Sequence, residues 1–239
     1  FGVSIDGLET NVLVPFADMF NHASPYKAHW TFDNRRDGFG MTADDDIAIN
    51  EEIYDSYGTK SNYRFFLHYA FIYMDENGEN EKNEFPMTID LDEKDKYYSV
   101  KKANFLDHDP YTYKEYKLVQ NFDAEVMSEF LAYSRLIAFD GDSAELIEAS
   151  KVALDLATEE AEAAEAEGLS EYVYKVFKNP HDLQNEIATW KFIRSKVIAA
   201  LEKYPTTLAD DLYLLHEDEQ EQFLTYNKRN CILIRVNDK

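Results

Sequence analysis

The spacing of apolar residues changes partway along this chain, and that change limits what it can fold into. Up to about residue 75 the apolar residues come in short clusters broken by Pro, Gly, Asn and Asp, the pattern of brief strands and turns. Asn11-Val12-Leu13-Val14-Pro15 reads as a strand ended by a proline that cannot donate to a ladder. His29–Phe32 and Phe39–Thr42 flank an Asp33-to-Gly38 segment whose Asp-Gly ending marks a hairpin, and the run from Ile47 to Tyr57 holds another strand. Ser61 to Phe71 reads as a short helix seated by Phe65, Phe66, Tyr69 and Phe71. Farther on, the period becomes helical. Val126, Phe130, Tyr133 and Ile137 fall three to four apart, and Gly141 breaks the pattern. Leu146, Ala149, Ala153 and Leu156 begin a second helix with an Ala/Glu tail over Glu159–Glu167. Asn179-Pro180 suits a helix start. Behind it Leu183, Ile187, Trp190, Ile193, Val197 and Leu201 trace one apolar stripe, and Thr207 three residues before Asp210 caps a further helix. Cys231–Ile234 is a last apolar run. The expectation is an α+β chain: a β-rich part over 1–75, a linker over 76–92 carrying Asn77-Gly78, and an all-α domain over 93–239.

Composition narrows the function classes. With 45% hydrophobic and 15% aromatic residues the chain can bury a sizeable core. Its 47 acidic against 24 basic residues give a formal charge of -23. That excess argues against direct nucleic-acid binding, which rests on Lys/Arg neutralising phosphates, and against docking on anionic lipid. It serves solubility, and a partner drawn to it would be basic. Cys231 is the single cysteine, so neither an intrachain disulfide nor a cysteine-based metal site can form. This fits a reducing, intracellular compartment without naming which one. No apolar run approaches the ~20 residues of a membrane span. Nothing in the sequence speaks to oligomeric state.

Few motifs carry chemistry. His22 and His29 lack a third residue at metal-ligand spacing, and Asp44-Asp45-Asp46 lacks the alternation and Gly of a calcium loop, so no metal site is expected. No Ser-His-Asp or phosphate-loop signature is present. Two stretches remain: Ala17-Asp18-Met19-Phe20-Asn21-His22 and Tyr54-Asp55-Ser56-Tyr57-Gly58-Thr59-Lys60-Ser61-Asn62. Alone, an Asn-His pair is an ordinary capped turn, and Tyr57 is one of 17 tyrosines.

Taken in order, the two stretches resemble the C-terminal part of a SET-domain protein methyltransferase of the Rubisco lysine methyltransferase-like family. Asn185-Glu186, Ala200–Leu208 with its Tyr204-Pro205-Thr206-Thr207-Leu208, and Asn227–Cys231 extend the resemblance into that family's helical substrate-binding domain. The resemblance implies a protein-lysine N-methyltransferase using S-adenosylmethionine on a protein substrate, with a basic segment favoured by the acid excess. It implies Tyr57 as the catalytic tyrosine, Asn21 and His22 with Tyr57 as cofactor contacts, and Asp18, Trp30 and Tyr69 as walls of the target-amine pocket. Three departures stand out: Ala23 follows the Asn-His pair, Asn50 precedes Glu51-Glu52 where Gly is usual, and Ala70 takes the place of Gly between Tyr69 and Phe71. Ala70 is expected to hold ordinary backbone angles. The histidine-directed branch carries Trp where Ala17 stands, which favours lysine over histidine as the target. The resemblance also places Phe1 well inside a catalytic domain, so residues 1–239 alone are expected to be inactive. The alternative from a different class is a SET-like structural or docking subunit with weak or lost catalysis.

Overall fold

The structure, a computed structural model, describes residues 1–5, 7–35, 38–105, 112–119, 123–149, 151 and 170–239. They form two compact units, Phe1–Lys82 and Asn83–Lys239.

The first unit is built from two-stranded sheets. Strands β1 (Gly2–Ile5) and β2 (Leu8–Asn11) pair antiparallel. Gly7, at φ +82°, sits between them, a backbone angle that suits a residue without Cβ. The strand expected over Asn11–Pro15 therefore lies earlier in the chain. Val12 still donates to the Phe1 carbonyl, but Leu13 is exposed, because pairing stops short of a proline that has no N–H to offer. Strands β3 (Asn21–His22) and β6 (Tyr54–Asp55) pair parallel, so the expected strand within Ile47–Tyr57 shortens to two residues. Strands β4 (Ala28–Asp33) and β5 (Gly38–Ala43) form the expected hairpin, with Trp30 opposite Met41; Arg36 and Asp37 of its turn lie outside the described residues. Helix α1 (Asn62–Tyr69) follows and ends on Ala70.

The second unit is helical apart from one hairpin. Strand β7 (Glu84–Asp90) falls within the stretch expected as linker and pairs antiparallel with β8 (Tyr113–Val119), which modifies the all-helical expectation. The signal for β7 is the alternation Phe85, Met87, Ile89, Leu91, whose last three members are buried. Helices α2 (Tyr98–Phe105), α3 (Ser128–Ala138), α4 (Ser170–Phe177), α5 (Leu183–Leu201), α6 (Leu208–Glu221) and α7 (Tyr226–Asp238) follow, with a further helical stretch over 143–149. Ala153, Leu156 and the Ala/Glu tail lie outside the described residues. Met87, Ile89, Phe130, Leu136, Phe177 and Ile193 belong to one buried cluster. Among the described residues no helix is long and apolar enough to cross a membrane.

Helix α5 departs from its expected stripe. Leu183 is 73% exposed and Trp190 44%, while Asn185 and Thr189 are buried beside Ile193. Partners make that polar burial tolerable: Asn185 Nδ2 donates to the Arg135 carbonyl at 3.1 Å and the Thr189 hydroxyl to the Asn185 carbonyl at 2.7 Å. The N-cap is Asp182, accepting from the Asn185 amide, and not the Asn179-Pro180 pair. Arg135 binds Glu186 through Nε at 2.7 Å and Nη2 at 3.1 Å, and its Nη1 donates to the carbonyls of Phe177 and Lys178 at the end of α4. The Asn185-Glu186 motif thus joins α5 to α3 and α4. Thr207 and Asp210 form the capping box expected of them on α6.

Candidate active site

The short parallel pairing of β3 with β6 brings the two motif stretches side by side, Asn21 opposite Tyr54 and His22 opposite Asp55. The chain leaving β6 turns at Gly58, φ +83°, and enters α1. Tyr57 is thereby held at both ends. Its hydroxyl donates to the Phe20 carbonyl at 2.6 Å and its amide to His22 Nδ1 at 3.2 Å. The His22 ring stacks on Tyr57 with centroids 5.4 Å apart, and Tyr69 approaches Tyr57 at 4.7 Å. Phe65 and Phe71 back this aromatic group.

A cleft of about 560 Å³ opens in front of Tyr57. Four of the residues singled out from the sequence line it: Asp18, Trp30, Tyr57 and Tyr69. Asp18 lies on a single 3₁₀ turn, Ala17–Met19, and Trp30 is held in the β4–β5 hairpin between Phe1 and Phe39. The other two are placed differently. His22 stands behind Tyr57, and Asn21 is exposed with its amide donating to Glu52 at 2.6 Å. Glu52 also accepts from the Tyr54 hydroxyl at 2.9 Å, and these two hydrogen bonds hold its carboxyl below the usual carboxylate range. Ala17, Phe20, Asp55 and Ser56, all within the two motif stretches, are among the other lining residues. Their signal was adjacency to the motif residues, which the parallel pairing turns into a shared wall.

Electrostatics follow burial. Burial lowers the His22 pKa, and a backbone hydrogen bond with Asp55 opposes it; the ring is neutral and accepts from the Tyr57 amide, with its proton on Nε2. Burial raises the Asp55 carboxyl and the Tyr57 phenol. Ala70 departs from expectation: at φ +60° it is left-handed, the conformation glycine holds most easily, and its amide closes α1 on the Phe66 carbonyl. Asn50, at φ +66°, makes the turn that Gly would make. His29 faces Asp44 at 2.7 Å, and among the described residues no group of three or more His, Cys, Asp or Glu could hold a metal.

The aromatic wall and the tied Phe20 carbonyl suit a sulfonium cation, which is attracted to ring faces and carbonyl dipoles. The Asn21 amide is a weaker fit to a cofactor contact, because Glu52 already accepts from it.

The family described as Rubisco LSMT substrate-binding matches residues 73–239, more than half of the chain. Actin-histidine N-methyltransferase of Gallus gallus is 23% identical over 230 residues, covering 96% of this chain and 35% of that protein. The Xenopus tropicalis protein of the same name is 24% identical with the same coverage. A crystal structure of the SET domain of LSMT bound to lysine and AdoHcy superimposes with a TM-score of 0.65 at 21% identity, over 97% of this chain and 47% of that one. Rubisco LSMT bound to AdoMet gives a TM-score of 0.65 at 20% identity over 95% and 47%. The fold is that of a SET/LSMT protein, and the chain spans about a third of the length of the curated relatives and about half of the solved chains.

Proposed function

We propose, from the premise that this chain belongs to the Rubisco LSMT substrate-binding family of SET-type protein methyltransferases, that it contributes to the transfer of a methyl group from S-adenosylmethionine to a protein lysine. The observation that carries this reading is the convergence of Asp18, Trp30, Tyr57 and Tyr69 on one cleft, with the Tyr57 hydroxyl fixed on the Phe20 carbonyl. When bound, the cofactor supplies an electrophilic methyl on a positively charged sulfur. Residues of this chain shape the other half of the encounter. Tyr57 and Tyr69 form a wall along which an alkyl amine slides, and Trp30 closes the side and excludes water. The Phe20 carbonyl holds the phenol in one orientation, so the reacting nitrogen meets fixed dipoles that need no reorganisation. Ala17 is buried and lines the cleft with only a methyl group, which leaves room for a long aliphatic side chain.

The relatives named for actin histidine methylation support a second reading, in which the acceptor is an imidazole. Incubating the natural-length protein with labelled S-adenosylmethionine and paired peptides bearing Lys or His at the same position separates the two. Label on the lysine peptide alone upholds the first reading, label on the histidine peptide alone upholds the second, and label on neither favours a docking subunit.

A further inference from the structure

Lys60 has no part in the mechanism above, yet it sits against the same wall. It is half-buried, its ammonium donates to the Tyr57 carbonyl, and it stands 5.9 Å from the centre of the Tyr69 ring. Gly58 makes room for it: a Cβ at that position would lie 3.1 Å from Lys60 Nζ. The cation therefore bonds to the backbone of one tyrosine that faces the cleft and lies over the ring of the other.

We propose that Lys60 is a positioning residue whose ammonium, fixed behind the Tyr57–Tyr69 wall, favours the uncharged form of an amine entering the cleft. This rests on the amine-methylation reading. A lysine side chain has a pKa near 10.4 in water and must lose its proton before its nitrogen can attack, and a nearby like charge makes that loss easier. Other charged groups face the same space. Asp18 is exposed and lines the cleft, where it would attract an ammonium on arrival. Asp55 is buried, which raises its carboxyl, while the Ser56 amide donates to it and opposes that rise. His22 is neutral. Arg64 adds positive charge on the side of Lys60, and burial with Arg64 lowers the lysine's own pKa. The attracting carboxylate and the repelling ammonium act at different stages, the first on capture and the second on proton loss.

The test is the pH profile of kcat, which reports ionisations within the enzyme–peptide complex, between about 6 and 9.5 for methylation of a lysine peptide by the natural-length protein. Lys60→Arg keeps the charge; Lys60→Gln keeps a donor for the Tyr57 carbonyl without it. The acid limb of Lys60→Arg should overlay that of the wild type. That of Lys60→Gln should move about one unit toward higher pH, a roughly tenfold loss near neutrality that recovers at high pH. Affinity for S-adenosylmethionine and melting temperature should be unchanged. Coincident limbs in all three proteins, or a Lys60→Gln loss equal at every pH, overturn the inference while leaving the methylation reading standing. A wild-type protein inert toward amines at every pH overturns both.

Discussion

Tyr57 is bonded at both ends of the residue, through its hydroxyl and its amide, and the two bonds predict different consequences when disturbed. Tyr57→Phe keeps the ring and the amide bond but removes the hydroxyl that fixes the phenol on the Phe20 carbonyl. Methyl transfer by the natural-length protein should fall about 100-fold, in kcat more than in KM, with cofactor affinity nearly unchanged; incorporation of labelled methyl at the wild-type rate removes Tyr57 from the role. The amide end depends on a neutral His22. The folded pKa of that ring lies below the ordinary 6.5, chiefly through burial, so its contribution to stability is complete above pH 6.5 and fades as pH falls through the lowered value. Following the His22 ring resonances by NMR should place its midpoint below 6.5, and a midpoint at or above that value contradicts the buried, accepting ring. Ala70 tests backbone strain. A left-handed residue with a Cβ costs roughly 1–2 kcal/mol, of which a glycine recovers part and loses some to its greater unfolded freedom. Ala70→Gly should therefore stabilise the fold by about 0.5 kcal/mol, read as a small rise in the midpoint of chemical denaturation.

At the level of elements, Arg135 shows how polar residues organise an apolar unit. It is nearly buried, paired with Glu186, and satisfies carbonyls at the end of α4. Arg135→Met leaves Glu186 without its ion pair and two carbonyls without a donor, and should cost roughly 3 kcal/mol in chemical denaturation. A loss under about 1 kcal/mol would mean that water replaces the guanidinium. The same residue shows why sequence reading went as far as it did. The β4–β5 hairpin, α1, α3 and the Thr207–Asp210 cap were legible because each is specified locally, by a turn, a period or a cap. The buried face of α5 was not, since Asn185 and Thr189 fall off the expected apolar stripe and the partner of the Asn185 side chain is the Arg135 carbonyl, some 50 positions away. Strand β7 was missed for a similar reason: Pro86 and the polar positions between its apolar residues read as linker until β8 pairs with them. At the candidate site, the motif stretches were legible and Asp18 and Tyr57 line the cleft, but the facing of Asn21 and His22 was not legible. Asn21 and His22 are adjacent to Phe20 in sequence, yet the β3–β6 register sends one to Glu52 and the other behind Tyr57.

For the whole molecule, charge and chain connectivity matter most. A formal charge of -23 would attract a basic partner over a distance set by screening. Methylation of a basic protein substrate should slow several-fold in kcat/KM as ionic strength rises from about 0.02 to 0.3 M, whereas a short neutral lysine peptide should be little affected; equal salt dependence for both would mean that the acid excess does not steer. Asp211 works in the opposite sense, using charge internally. Burial alone would raise its carboxyl, but Arg235 at 2.5 Å, Lys239 at 2.7 Å and the Thr206 hydroxyl at 2.8 Å outweigh it and hold the carboxyl far below the usual range. Its contribution to the second unit is therefore complete above about pH 4 and disappears only in strong acid. The two-residue pairing of β3 with β6 has a consequence in time. The hydroxyl of Tyr57 meets a carbonyl 37 positions earlier in the chain, and closing a loop of that length costs about 3 kcal/mol in chain entropy before any contact repays it. The β4–β5 hairpin lies inside that loop and, once formed, shortens the path its ends must close. Nascent chains should thus complete the hairpin first and the cleft afterwards, so the interval between the two is when a chaperone or the cofactor has most influence over the outcome.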